Sequence, residues 1–485
     1  MMFPMLEIAM GLVALIVFAV FHWKLKWRNR SNIGELPPGS MGLPYIGETI
    51  QFFIPSRSRD MPPFIKKRVK KYGTLFKTSL ATRPVVVSTD PEFNKFVLLQ
   101  EGKSVETWYL DSFSKLVGHD TQDLEVKTNA TGYIHKQIRY LILNHMGSES
   151  LKGELLRQIQ ATTETMVDAW SAQEFVDVKH DCALMIFKFT SKLLLGYDAE
   201  KSAKSVTEDF HTLMNGLMSL PINIPGTAFH KSLKSQERLL NMIGGKISER
   251  MATPAEASKG DFLDHIIGDM KTQSFLSTKF ITYIIMGVLL ASFESIPTTV
   301  VMALIFLTEN PKALQGLIKE NQEALHNRRI SGAEGITWEE YKSMPYTLHV
   351  VNESLRLAGN IPGVMRRAIK DIEWNGYVIP KGWTIVLNQL GLHLNPEVYE
   401  DPLAFNPSRW EQMDKANVEG RYYIPFGGGG RPCAGAEFTR AFCAVFLQVF
   451  VTKYRWTKVR GGEIIRTPFL RIGGGFDIKV SKIQG

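Results

Sequence analysis

Pro425-Phe426-Gly427-Gly428-Gly429-Gly430-Arg431-Pro432-Cys433-Ala434-Gly435 combines a glycine run, a cationic side chain and one cysteine. An apolar stretch with helical character follows, from Phe438 to Val451. A thiolate is a soft metal ligand. Glycines let a backbone turn sharply and pass close to a flat cofactor, because no Cβ intervenes. Amides of a loop entering a helix point partial positive charge at the sulfur, which favours the ionised thiol. Arg431 lies two residues before the cysteine and can pair with an anionic group as a charge-assisted donor. The plainer alternative is a glycine-rich turn around a buried, inert cysteine.

The full pattern Phe-x-x-Gly-x-Arg-x-Cys-x-Gly is met by Phe426, Gly429, Arg431, Cys433 and Gly435. It resembles the haem-binding loop of the cytochrome P450 family. The resemblance implies a mainly α fold with small β-sheets and a haem b whose iron takes an axial thiolate from Cys433. Phe426, Arg431 and Gly435 would then contact the cofactor, with Arg431 on a propionate.

Of the 485 residues, 44% are apolar and 22% charged, ample for a large core. No composition break appears after residue 50, which favours one large domain. With only Cys182, Cys433 and Cys443, a reducing compartment fits better than a secreted disulfide framework. The net charge is +9, without the aromatic–basic interleaving of a nucleic-acid surface. An anionic membrane and an acidic protein partner account for it better.

Residues 1–30 read as a transmembrane anchor with a basic stop. Ile8 to Trp23 is apolar apart from His22, and Phe3 to Leu6 extend the run across Glu7. About 20 residues suffice to cross a bilayer as a helix. Trp23 and Trp27 suit the interface, and Lys24, Lys26, Arg28 and Arg30 put the following chain in the cytosol. A cleaved signal peptide would need a basic n-region and a small-residue cleavage site, and both are missing. The sequon at Asn129 would face the cytosol and stay unmodified. Residues 31–50 hold a proline-rich hinge, Leu36 to Pro44. Residues 51–485 form the expected haem-thiolate monooxygenase domain. The resemblance implies a single-pass protein of the endoplasmic reticulum.

Thr74–Thr78 and Val85–Ser88 predict a hairpin with Arg83-Pro84 between its strands. Leu98 to Gly118 carries Trp108, Tyr109, Leu110, Phe113 and Leu116. By resemblance this segment covers the distal haem face, and Trp108, Leu110 and Phe113 line a substrate pocket. His135 and Arg139 share a helix face, and the family presents such a pair to the haem propionates. Leu213 to Ile224 reads as core or as the mobile roof of the pocket, with Leu217 facing substrate.

Phe280 to Leu307 predicts a long buried helix. The family crosses the distal haem face here with an Ala/Gly-Gly-x-Asp/Glu-Thr pattern. Ala291 and Glu294 match it, Ser292 stands where Gly is usual, and Ser295 where Thr is usual. Leu290 and Ala291 would meet substrate. Glu294 and Ser295 would deliver protons through water, with Thr298 one turn on as the alternative hydroxyl. Ser295 could instead bond back to the carbonyl four residues earlier. Pro297 predicts a kink.

Glu353 and Arg356 meet at i and i+3 on one helix face. By resemblance they join Arg409 in a buried, structural charge network. Val364 would line the pocket, and Arg366 or Arg367 would meet a propionate. Trp374 to Gly382 carries two turn signals around a short strand. Phe469 to Gly475 returns a strand tip to the pocket, with Ile472 on substrate.

Several phrases resemble plant oxidases of brassinosteroids, sterols and triterpenes: Gly42–Thr49, Ala291–Ser295, Ile336–Met344 and Phe426–Gly429. The function implied is hydroxylation of a rigid, apolar sterol or triterpenoid. It would use O2 and electrons from NADPH through a cytochrome P450 reductase. Single hydroxylation and successive oxidations that cleave a side chain to a pregnane both remain open. Two other classes are a haem-thiolate isomerase or dehydratase working without reductase, and a non-catalytic haem-binding membrane protein. Retained Glu294 and Ser295 favour the oxygenase.

Overall fold

The computed structural model of the protein describes residues 10–11, 13–15, 17–23, 34–118, 132–198, 203–253 and 260–483. Lys24, Lys26, Trp27, Arg28, Arg30 and the sequon at 129–131 lie outside them.

Thr278–Glu309 is a 32-residue helix through the middle of the molecule. Ser277 caps its start by accepting the Phe280 N–H, which satisfies one of the orphan donors of a first turn. Its residues are apolar nearly all round, the pattern of a helix buried on most faces. It packs against Val178–Leu195, Ala228–Met251, Pro345–Ala358 and Ala436–Lys453. The helix assignment is unbroken across Pro297, so the expected kink does not end it. This is the one helix long and apolar enough to span a bilayer among the described residues, and it is core. The N-terminal helix, by contrast, carries exposed Val13, Val17, Phe18 and Phe21.

The strands form three small sheets. In chain order they are β1 Ser56–Arg57, β2 Leu75–Leu80, β3 Arg83–Ser88, β4 Val105–Thr107, β5 Val176–Asp177, β6 Val364–Ala368, β7 Ile372–Trp374, β8 Tyr377–Ile379, β9 Thr384–Leu387, β10 Tyr454–Thr467 and β11 Phe469–Lys482. The sheet orders are β2-β3-β9-β6-β4, β1-β10-β11-β5 and β7-β8. Most pairings are antiparallel, but β3 and β9 run parallel.

The β2–β3 hairpin forms with its turn shifted from the expected place. Ala81 and Thr82 carry φ of 48° and 66° and make the two-residue loop, the handedness that matches twisted strands. Arg83 and Pro84 lie inside β3, with Pro84 opposite Ser79. The second hairpin turns at Asn375 and Gly376, as the sequence predicts.

The proline-rich segment is a strap on the sheet. The Lys77 backbone N–H donates to the Pro38 carbonyl at 2.8 Å and its Nζ to the Pro37 carbonyl at 2.7 Å. Gly39 has φ 147°, and a Cβ there would lie 2.1 Å from the Lys77 carbonyl oxygen. Only glycine allows that approach.

Candidate active site

The cysteine loop docks on the helix Pro91–Leu99 rather than standing free. Gly429 has φ 65°, and a Cβ there would strike the Leu98 carbonyl oxygen at 2.0 Å. This close approach to protein backbone is what requires glycine at 429. The Cys433 N–H donates to the Phe426 carbonyl at 2.8 Å and closes the loop. Phe426 packs on the core, and the Arg440 guanidinium sits 4.6 Å from its ring centroid. The loop then enters the helix Ala436–Lys453, whose interior is almost wholly buried.

Cys433 is exposed by its accessible surface, yet burial is the largest influence on its thiol. Both facts fit a side chain that looks into a recess of the protein. Burial pushes the thiol above its usual range, against the Gly435 amide and the charges of Arg139 and Arg440. Desolvation of the charged form opposes ionisation, while the Gly435 amide and the two guanidiniums favour it, as a directly bound cation would.

The four cationic or basic side chains expected around a cofactor carboxylate form one cluster. Arg139, on helix Tyr133–Met146, donates from Nη1 to the Pro432 carbonyl at 2.6 Å. Arg366 Nε lies 2.7 Å from Glu101 Oε2, and Arg431 Nε lies 3.0 Å from Glu101 Oε1. His135 is half-buried, and burial with Arg431 and Arg139 holds its pKa below the usual value, which keeps it neutral. Tyr109 stands within the field of Arg366, Arg431 and Glu101.

Arg367 does not join them. Successive residues of a strand face opposite ways. In β6, Arg366 is buried while Arg367 points out and pairs with Glu106 at 2.6 Å. Of the two arginines, Arg366 is the one inside the cluster. Trp108 lies near Arg367. It lines a surface cleft of about 440 Å³ with Arg83, Glu106, Arg367 and Lys381, on the Arg367 side of the sheet.

Along the long helix, Gly287, Val288, Ala291, Glu294 and Ser295 keep accessible surface while their neighbours are buried. Most of these positions recur at three- and four-residue spacing, one face of a helix. Ala291 is exposed amid a buried helix, and a Cβ on Gly287 would meet nothing within 4 Å. Ser295 Oγ donates to the Ala291 carbonyl at 2.6 Å, the back-bonding alternative. Thr298 Oγ1 donates to the Glu294 carbonyl at 2.7 Å and is 2% exposed. Thr298 shares this face, four residues after Glu294, but is buried, whereas Ser295 keeps accessible surface.

Glu294 has a partner that sequence reasoning missed. Lys179 Nζ, from the helix Val178–Leu195, lies 2.6 Å from its Oε1. His211 shares the field of that pair and packs edge-on to Phe293 at 4.9 Å. No local pattern around Lys179 marks it. Only helix packing brings it to Glu294.

Glu353 is fully buried at the centre of a bonded network. It accepts Arg356 Nε and Nη2 at 2.8 Å, Arg409 Nε at 2.9 Å and Trp410 Nε1 at 3.0 Å. Arg356 also donates to the carbonyls of His393 and Pro402, both at 2.7 Å. Trp410 was the unforeseen member.

The other expected pocket residues divide. Leu217 and Leu290 are buried core, while Leu110, Phe113, Val364 and Ile472 are half-buried. Phe113 stacks on Tyr109 at 4.5 Å. Ile472 pairs across the β10–β11 hairpin with Ile464. Leu220, Ile222 and Ile224 are exposed beyond the helix Ala203–Gly216.

The donor set fits the expected cofactor. One thiol, three guanidiniums and a neutral imidazole suit a flat, dianionic group with a soft metal centre.

Comparison with known proteins agrees with this geometry. Residues 37–476 match the cytochrome P450 family model. The chain is 43% identical over 470 residues to beta-amyrin 16-alpha-hydroxylase CYP87D16 of Maesa lanceolata, covering 97% of this chain and 98% of the relative. It is 44% identical over 475 residues to cucurbitadienol 11-hydroxylase of Siraitia grosvenorii, covering 98% and 99%. Retinoic acid-bound cyanobacterial CYP120A1 superposes with a TM-score of 0.81 at 26% identity, over 93% of this chain and all of that one. With the loop, the long helix and the buried Glu353 network in the same chain, the protein belongs to the cytochrome P450 family and is a monooxygenase.

Proposed function

We propose that the protein hydroxylates a rigid, apolar triterpenoid or sterol with O2 and electrons passed singly from NADPH by a reductase. The observation that carries the substrate class is the similarity of nearly the whole chain to two plant triterpene hydroxylases. The apolar stripe of the long helix supports it, because a hydrocarbon skeleton needs few polar partners.

Haem bound in the recess supplies thiolate-ligated iron, biased towards O–O cleavage. Cys433 would ligate the iron, with the Gly435 amide on its sulfur. Arg139, Arg366 and Arg431 would hold the propionates by charge-assisted bonds, and neutral His135 would add a donor. Gly287, Val288 and Ala291 form the roof and exclude water from the reacting face. Glu294, held by Lys179, and the Ser295 hydroxyl would pass protons inward through water. Ser295 lacks the γ-methyl of threonine and so turns more readily from the Ala291 carbonyl towards a water. The Glu353 network braces the cofactor side without touching substrate.

The N-terminal apolar helix would anchor the chain in the endoplasmic reticulum membrane, with the remainder in the cytosol. Exposed Leu43, Tyr45, Ile46, Leu220, Ile222 and Ile224 support contact with lipid. Such contact would let a water-insoluble substrate enter from the bilayer. Residues 31–50 would set the orientation as a strap, and 51–485 would form the catalytic unit.

The test is expression with a plant reductase in yeast making triterpenes or sterols, with products identified by mass spectrometry. A hydroxylated product that requires NADPH and reductase is expected. Product formed from a hydroperoxide with reductase absent would replace this function with isomerisation. Hydroxylated and side-chain-cleaved products separate by mass in the same experiment.

A further inference from the structure

Glu101 is a carboxylate inside the cluster expected to bind carboxylates. It follows the helix Pro91–Leu99 and precedes β4. Its Oε2 contacts Arg366 Nε at 2.7 Å and its Oε1 contacts Arg431 Nε at 3.0 Å. Oε1 also accepts the Thr107 N–H at 3.1 Å and Thr107 Oγ1 at 2.9 Å. The side chains of Glu101, Arg366 and Arg431 are only 12%, 5% and 14% exposed.

An ion pair so far from water gains little net stability, because desolvation offsets the attraction. A carboxylate here also opposes the binding of an anion by the same guanidiniums. Stability and simple anion affinity therefore both leave Glu101 unexplained. Charge balance and geometry explain it. Arg139, Arg366 and Arg431 carry three positive charges, and Glu101 removes one. The two that remain match the two propionates of a haem. Glu101 also touches both arginines on their Nε edges, the side away from the paired Nη groups that form a guanidinium fork.

We propose that Glu101 is a positioning residue that ties Arg366 of β6 to Arg431 of the cysteine loop and presets both for the haem propionates. Thr107 in turn orients the carboxylate through its two bonds. The proposal rests on the haem reading of the site. Without the Glu101 charge, Arg366 and Arg431 repel each other as like charges. Each would then turn towards other acceptors, as Arg366 Nη1 already does towards the Met365 carbonyl at 2.9 Å.

The test uses the full haem-loaded chain, its E101Q variant and its T107V variant. Haem transfer to excess apomyoglobin is timed, and the ferric/ferrous midpoint potential is measured. E101Q should release haem about tenfold faster, equivalent to one decade in affinity. Its potential should rise, because loss of a nearby negative charge favours the reduced iron. T107V should release haem faster than wild type with an unshifted potential, because the charge stays while its orientation loosens. Release from E101Q as slow as wild type, or slower, would mean that Glu101 merely competes with the cofactor, and overturns the proposal. Should E101Q not accumulate, T107V decides, and unchanged release there overturns it. The carbon monoxide spectrum of the wild type separates the two levels. Its thiolate-type band must be present for the haem reading, whatever Glu101 does.

Discussion

Ser295 and Thr298 both carry a hydroxyl near Glu294, but their surroundings differ. Ser295 lies on the accessible stripe of the long helix, whereas Thr298 is buried with its hydroxyl on the Glu294 carbonyl. On the proposed function, proton delivery is therefore expected from Ser295. Ser295→Ala should slow product formation on the order of 100-fold while NADPH consumption continues. Thr298→Ala should leave the ratio of product to NADPH near that of wild type. Equal loss of coupling in both variants would contradict the assignment. The sequence marked both hydroxyls but could not rank them, because one turn of helix separates a lining residue from a core residue. For the same reason Arg366 and Arg367 could not be told apart before the register of β6 was known. Lys179 and Glu101 were illegible for a different reason. Each reaches its partner across a long stretch of chain, with no spacing rule to mark it.

Among the elements, the helix Pro345–Ala358 depends on one buried carboxylate. Glu353 holds two guanidiniums and an indole N–H, and the guanidiniums in turn hold the loop from His393 to Ala404. Removing one partner of a buried charged set leaves the others unpaired in a dry interior. Glu353→Gln should therefore destabilise the protein by roughly 3–5 kcal/mol, read from urea denaturation of the haem-loaded chain. A change below about 1 kcal/mol would assign the network the weight of a surface ion pair. The Glu-x-x-Arg spacing and the later Pro-x-Arg segment were legible because both are local patterns. Trp410 completes the set only through the fold of the loop. The hairpin at Ala81-Thr82 shows the converse. Proline suggested a turn at Arg83-Pro84, yet Pro84 lies within β3, and the positive φ values fell on two residues without glycine.

At the scale of the molecule, the long helix, the cysteine loop, β6 and the helix Tyr133–Met146 supply one site from segments spread over some three hundred residues. The order of motifs along the chain made this architecture legible. The packing that decides which side chains share a recess was not. The central claim is that Cys433 is the thiolate ligand of a haem held among these segments. Cys182 and Cys443 are each 1% exposed and lie in the core. Burial pushes the Cys443 thiol up to about 12 and that of Cys182 well above its usual range. The most direct measurement is the carbon monoxide difference spectrum of the reduced protein. The wild type, Cys182→Ala and Cys443→Ala should all give the thiolate-type band, and Cys433→Ala should lose it. A thiolate-type band that survives in Cys433→Ala would contradict the account.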